Sequence, residues 1–215
     1  MKRFTSLKGI EMFIIVDYGV GNLTSIQNML KKSGVESRIS GDYNDMATAS
    51  RILLPGMGAF DNCMEKFNGS GLRDIIEKKA LVEKIPVLGI CVGLQMFMSG
   101  SEEGVLPGLG WIKGATVRFD PERMTDTQKI PNMGWLEIAF KKPSKLLQDL
   151  EESRFYFAHS YHVKPEDASD ELASAQYGYE FTVGIERDNL VGVQFHPEKS
   201  HRFGMQLLRN FSNNY

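Results

Sequence analysis

The chain has 215 residues, 42% hydrophobic and 24% charged, with a formal net charge of −2. A chain of this length buries roughly 70% of its unfolded surface, so one hydrophobic core holds it without staples. The near-neutral charge argues against a nucleic-acid surface. No apolar run approaches the ~20 residues of a membrane helix. The two cysteines, Cys63 and Cys91, lack disulfide-framework spacing and fit a reducing, cytoplasmic compartment.

The opening MKRFTSLKGIEM is basic but is not followed by the apolar core and small-residue cleavage site of a signal peptide. Residues 1–11 therefore read as a leader and 12–215 as one domain. MFIIVD (12–17) is a short apolar run, as in a strand buried on both faces. Asn22 is placed to cap a helix that carries Leu23, Ile26, Met29 and Leu30 at helical spacing. Gly34, after Lys31 and Lys32, is placed to stop it. Further strands are predicted at 35–39, 51–56 and 85–91, and helices at 59–67, 72–79 and 92–99. Strands alternating with helices imply a parallel sheet with right-handed crossovers.

After Gly104 the rhythm changes. GWIKGATVRF, RFYFAHSYHV, ELASAQY, FTVGIERD and LVGVQFHPE read as strands with few helices between them. A last helix begins near Ser200 and carries Phe203, Leu207, Leu208 and Phe211. With no repeat and no linker, the expected fold is a single α/β domain with a central, mostly parallel or mixed sheet flanked by helices.

Gly89-Ile-Cys91-Val-Gly93 closes the strand predicted at 85–91 and opens a helix. This G-x-C-x-G pattern matches a nucleophile elbow, a sharp strand-to-helix turn with a glycine two residues on either side. Such a turn lifts the sulfur above the sheet. The helix N-terminus behind it raises the thiolate fraction, and the unpaired N–H of Val92 faces a developing oxyanion. Most free cysteines are small buried hydrophobes, and Cys63, inside the helical run AFDNCMEKF, is read as one of these.

A thiol nucleophile needs a base, and the base an orienting acceptor. His196 ends an apolar strand, and in an extended chain Glu198 lies on the same side, within reach of an imidazole nitrogen. His159 is a second candidate base without an acid at a helpful offset, and His201 falls in the last helix. A metal set drawn from His159, His162, His196 and Glu198 lacks zinc-type spacing, so neither metal nor cofactor is expected. LLPGMGAFD (53–61) ends a strand in a glycine turn. Beside the elbow it would offer a backbone N–H of Met57 or Gly58; it is not a P-loop or a dinucleotide loop.

Together these stretches resemble the class I, triad-type glutamine amidotransferases. GICVGLQ, LLPGMGAF and QFHPEKS are that family's signatures in its order, and the likeness runs from about Phe13 to Phe211. Within the family, DYGVGNL, SEEG followed by PGLGW, KIPNMGW and YFAHSYH are most similar to the glutaminase subunit of imidazole glycerol phosphate synthase. The resemblance implies that Cys91 attacks the side-chain amide of L-glutamine, that His196 relays protons and that Glu198 orients His196. The thioester formed is hydrolysed to glutamate. It further implies an oxyanion hole from the backbone of Val92 and Met57, and glutamine held by Gly58, Gln95, Glu103, Ser160 and Tyr161.

The resemblance also implies a heterodimer with a cyclase-like (β/α)8 subunit that receives the ammonia and faces Pro131, Met133, Trp135 and Tyr156. Where that glutaminase subunit commonly reads Pro-His-x-Gly-Trp-Asn, this chain has Asn132 and Leu136 near the expected interface. A paralogue supplying ammonia for amidination of a bacterial surface sugar is one alternative acceptor pathway. A non-catalytic regulatory partner subunit is disfavoured by the intact Cys91, His196 and Glu198. A cysteine hydrolase or redox sensor is disfavoured by the His-Pro-Glu order and Gln95.

Overall fold

A computed structural model describes residues 12–150 and 153–215; the leader expected at 1–11 lies outside the described residues. Strand β1 (Phe13–Val16) is buried at all four positions, as an uninterrupted apolar run demands. Helix α1 (Leu23–Lys32) starts where predicted, with the Asn22 side chain accepting from the Ser25 N–H. Gly34, at φ 79, ends it, and the Val35 N–H still donates back to the Leu30 carbonyl. Residue 35 therefore belongs to the helix stop, and β2 (Arg38–Ser40) begins later than the predicted 35–39.

An unpredicted helix, α2 (Tyr43–Thr48), is capped by Asp42, whose carboxylate accepts from the N–H groups of Asn44 and Asp45. Then come β3 (Arg51–Gly56), α3 (Phe60–Gly69), α4 (Arg73–Glu77) with a π turn after it, β4 (Val87–Cys91) and α5 (Val92–Gln95). The helix expected at 92–99 is thus a single turn. The carbonyls of Met96, Phe97 and Met98, which would have continued it, instead accept from the N–H groups of Leu109, Ile112 and Gly110.

The second half supplies β5 (Gly114–Arg118), β6 (Asn132–Phe140), β7 (Arg154–His159), β8 (Tyr161–Pro165), β9 (Glu171–Tyr177), β10 (Tyr179–Arg187), β11 (Leu190–Val193) and α6 (His201–Asn214). Among the described residues, nine strands form one sheet in the order β2-β1-β3-β4-β11-β10-β9-β6-β7, and β5 pairs with β8 in a second, two-stranded sheet. Neighbours from β2 to β11 run parallel, and every pairing from β11 to β7 is antiparallel. The expected α/β fold, a mixed sheet flanked by helices, is present.

Two departures shape the site. The single strand predicted for RFYFAHSYHV is two strands in different sheets, with Ser160 as the switch. The strand predicted through LVGVQFHPE stops at Val193. The Gln194 N–H turns to the Val183 carbonyl and the His196 N–H to the Tyr156 carbonyl, which steers the chain off β4 and across towards β7.

Candidate active site

Cys91 pairs with Gly56 at the end of β4 and holds φ 56 and ψ −114. A side chain in that region costs about 1–3 kcal/mol, which the packing around it must offset. The glycines explain how the turn closes. A Cβ on Gly93 would stand 2.0 Å from the Leu54 carbonyl oxygen, one on Gly56 would stand 2.3 Å from the Gly93 nitrogen, and one on Gly89 would stand 2.8 Å from the Leu94 nitrogen. β3 and β4 thus touch the backbone of α5 directly. A one-turn α5 carries little of the macrodipole expected from a longer helix. What it keeps is the unpaired N–H groups of its first turn, Val92 included.

His196 Nδ1 donates to Glu198 Oε1 at 2.8 Å, with both side chains almost wholly buried. The extended chain expected between them is replaced by a 3₁₀ turn over Pro197–Lys199, which brings the carboxylate back under the ring. His196 and Cys91 line the same cavity, and the imidazole interacts electrostatically with the Cys91 sulfur. Burial disfavours charge on the imidazole, but its interactions with Cys91 and Glu198 outweigh it, and its pKa is pushed up to about 10.

A cavity of about 320 Å³ opens over the sulfur. It is lined by Met57, Gly58, Cys91, Val92, Gln95, Glu103, Pro131, Ala158, His159, Ser160, Tyr161, His196 and Lys199. Every residue singled out for glutamine binding or the oxyanion hole is therefore in one place, next to Cys91 and His196. Met57 and Gly58 arrive on the loop after β3, Gly58 at φ 87. Glu103 is fixed at the rim because its Oε2 accepts from the Phe60 N–H at the start of α3. Ser160 and Tyr161 come from the sheet switch.

His159 lines this cavity but is not available as a base. Its Nδ1 donates to the Tyr161 carbonyl at 2.8 Å, its Nε2 accepts from Asn132 Nδ2 at 3.1 Å, and burial pushes its pKa down to about 3. Cys63 is fully buried, its thiol donates to the Met57 carbonyl, and burial raises its pKa.

The residues expected at a partner interface divide. Pro131 lines the cavity. Met133 is 66% exposed on β6, and Trp135 sits opposite Tyr156 on β7, with ring centroids 6.0 Å apart. Trp135 also stacks on His201, 5.5 Å between centroids. Asn132 is only 1% exposed, bonded to His159, and Leu136 packs against the core. Of these two departures from the family's pattern, Asn132 is interior and Leu136 is partly buried.

Two residues beside the site, Lys199 on the cavity wall and Gln194 behind the sulfur, escaped the sequence reading. Lys199 stands at the rim, its ammonium 5.6 Å from the Tyr156 ring. Gln194, fully buried, donates from Nε2 to the Cys91 sulfur at 3.6 Å. It lies two residues before His196, the same offset that singled out Glu198, and that offset was the signal that could have found it.

The Glutamine amidotransferase class-I family model matches residues 14–214. The chain is 46% identical over 201 residues to imidazole glycerol phosphate synthase subunit HisH 2 of Pseudomonas aeruginosa, covering 93% of this chain and 98% of that protein. It is 47% identical over 201 residues to a protein of the same name from Methanococcus maripaludis, with the same coverage. In fold it matches PurLQS of Thermotoga maritima, with a TM-score of 0.69 at 18% identity over 95% of this chain and 98% of that one.

Proposed function

The chain belongs to the class I glutamine amidotransferases, and on that premise we propose that Cys91, His196 and Glu198 are the triad of a glutaminase subunit of the imidazole glycerol phosphate synthase type. The observation that carries this is a strained cysteine at a strand-to-helix turn, sharing one cavity with a histidine that a buried carboxylate orients.

In this reading the Cys91 sulfur attacks the side-chain amide carbon of glutamine. The carbonyl oxygen takes up the negative charge and is met by backbone N–H groups of Val92 and Met57. Charged His196 then gives its proton to the leaving nitrogen, so ammonia departs and a thioester remains. The imidazole, now neutral, takes a proton from water, which attacks the thioester and releases glutamate. Glu198 keeps Nδ1 protonated throughout and so leaves Nε2 for the sulfur. Gly58, Gln95, Ser160 and Tyr161 line the binding pocket. Glu103, the acid on its wall, suits the α-ammonium of the substrate.

The ammonia passes to a cyclase-like (β/α)8 partner docked on the β6–β7 edge. Exposed Met133 and the Trp135–Tyr156 pair beside the cavity support that placement. The surface-sugar acceptor drew its support from Asn132 and Leu136. Asn132 is buried and Leu136 packs against the core, partly buried, so no observation favours it over the synthase.

The test is glutamate release by the complex of this chain with an imidazole glycerol phosphate synthase cyclase subunit. Glutamine-dependent turnover is expected, and Cys91→Ala abolishes it while the complex still forms. Full turnover in Cys91→Ala would overturn the triad.

A further inference from the structure

The direction of each hydrogen bond around the nucleophile can be read from one backbone carbonyl. Tyr161 O only accepts, and Gln95 Nε2 lies 3.2 Å from it. This fixes which end of the Gln95 amide is nitrogen. The same nitrogen lies 3.1 Å from Gln194 Oε1, so Gln194 must turn its oxygen towards Gln95. Its own Nε2 is then left facing Cys91 Sγ at 3.6 Å. Neither glutamine can flip without setting donor against donor or acceptor against acceptor. Gln95 and Gln194 are 3% and 0% exposed, so water does not compete for these contacts.

We propose that Gln194 is a further member of the catalytic machinery: a fixed amide donor that holds the Cys91 sulfur as an anion. The proposal rests on the reading of Cys91 as nucleophile and adds a group that the triad does not include. A thiol has one proton to give and here meets a donor whose orientation it cannot reverse, so the arrangement suits a thiolate. Other titratable or charged groups around the sulfur are His196 with Glu198 behind it, Tyr18 after β1, Cys63 on α3, and Glu103, His159, Tyr161 and Lys199 on the cavity wall. Tyr18 and Cys63 give their protons' hydrogen bonds to the Pro55 and Met57 carbonyls, so among these groups Gln194 is the neutral donor aimed at the sulfur.

The experiment compares the full chain with Gln194→Glu and Gln194→Leu. Gln194→Glu keeps the shape and the oxygen facing Gln95 but replaces the donor with a carboxylate oxygen. The rate of iodoacetamide modification at Cys91, located by peptide mass, is followed against pH, and glutaminase kcat and KM are measured in the partner complex. In both variants the pH of half-maximal modification moves upward by about one unit, and kcat falls about tenfold with KM within about twofold.

A merely structural role would lower the unfolding temperature and leave that midpoint in place. A parental midpoint and kcat in folded Gln194→Glu overturn the proposal. Should both variants fail to fold, the 15N-labelled parent decides. The Gln194 side-chain amide resonance is expected to titrate together with Cys91, and a pH-independent resonance overturns the proposal. A parent complex that releases no glutamate would instead count against the triad reading, since the modification profile does not depend on turnover.

Discussion

Cys63 and Cys91 are both unpaired and both buried, at 0% and 4% exposure, yet their surroundings make them opposite groups. Cys63 sits within α3, and its thiol donates a hydrogen bond to the Met57 carbonyl. Burial raises its pKa, which keeps the proton on sulfur. Cys91 sits at φ 56, receives a hydrogen bond from Gln194 and shares its cavity with the His196 imidazole. The pair teaches that burial alone does not decide cysteine chemistry. The donors and acceptors that the backbone aims at the sulfur decide it.

The sharpest way to break this contrast is to remove each sulfur in turn. Cys91→Ala is expected to lower glutamate release by at least about a thousandfold, and Cys63→Ala to leave kcat within about twofold, in a steady-state assay of the partner complex. Comparable losses from both would end the distinction.

Next in size is the backbone that holds Cys91 in place. Gly93→Ala sets a Cβ 2.0 Å from the Leu54 carbonyl oxygen, where no flexible side chain can yield. It should destabilise by about 3 kcal/mol in urea unfolding, a loss with no counterpart at the helical position of Cys63.

Glu198→Gln comes third, with kcat lower by about a hundredfold. It also has a pH signature. The His196 pKa is raised from the ordinary 6.5 to about 10 in the folded chain. The stability this contributes is fully present below the ordinary value and is lost as pH rises towards about 10. Unfolding measured across that window should show a smaller pH-dependent loss in Glu198→Gln than in the parent. An unchanged loss would show that the carboxylate does not support the imidazolium.

The smallest effect runs the other way. Cys91→Gly relieves the strained φ and should stabilise the inactive chain by about 1 kcal/mol, whereas Cys63→Gly, inside a helix, should destabilise it.

The parallel half of the sheet was legible because its signals are local. β1, β3 and β4 are contiguous apolar runs, and Asn22 and Gly34 mark the ends of α1 by their own chemistry. The elbow was legible for the same reason, since Gly89, Cys91 and Gly93 lie within five residues.

The antiparallel half hides its breaks. Alternation continues straight through Ser160, so nothing local shows that β7 and β8 part into different sheets. β6 was concealed by mixed exposure, buried at Asn132 and Ile138 and open at Met133. The brevity of α5 depends on donors more than ten residues later in the chain. His196 and Glu198 were paired correctly although the backbone between them was not, because two residues of separation keep side chains close in either conformation.

The bonds that end α5 early also act as a gauge. Residues 109–112 are tied to the carbonyls just beyond the elbow. The loop they close is pinned at its far side, where Asp61 accepts from the N–H groups of Val105 and Leu106. Glu103 rides on that loop, so the span from its carboxylate to the sulfur is set by covalent chain and staples and not by a swinging arm. An amino acid gripped by its ammonium at one end is thereby measured. On the proposed reading, with the ammonium at Glu103, an amide one methylene nearer the α-carbon, as in asparagine, is expected to stop short of the sulfur.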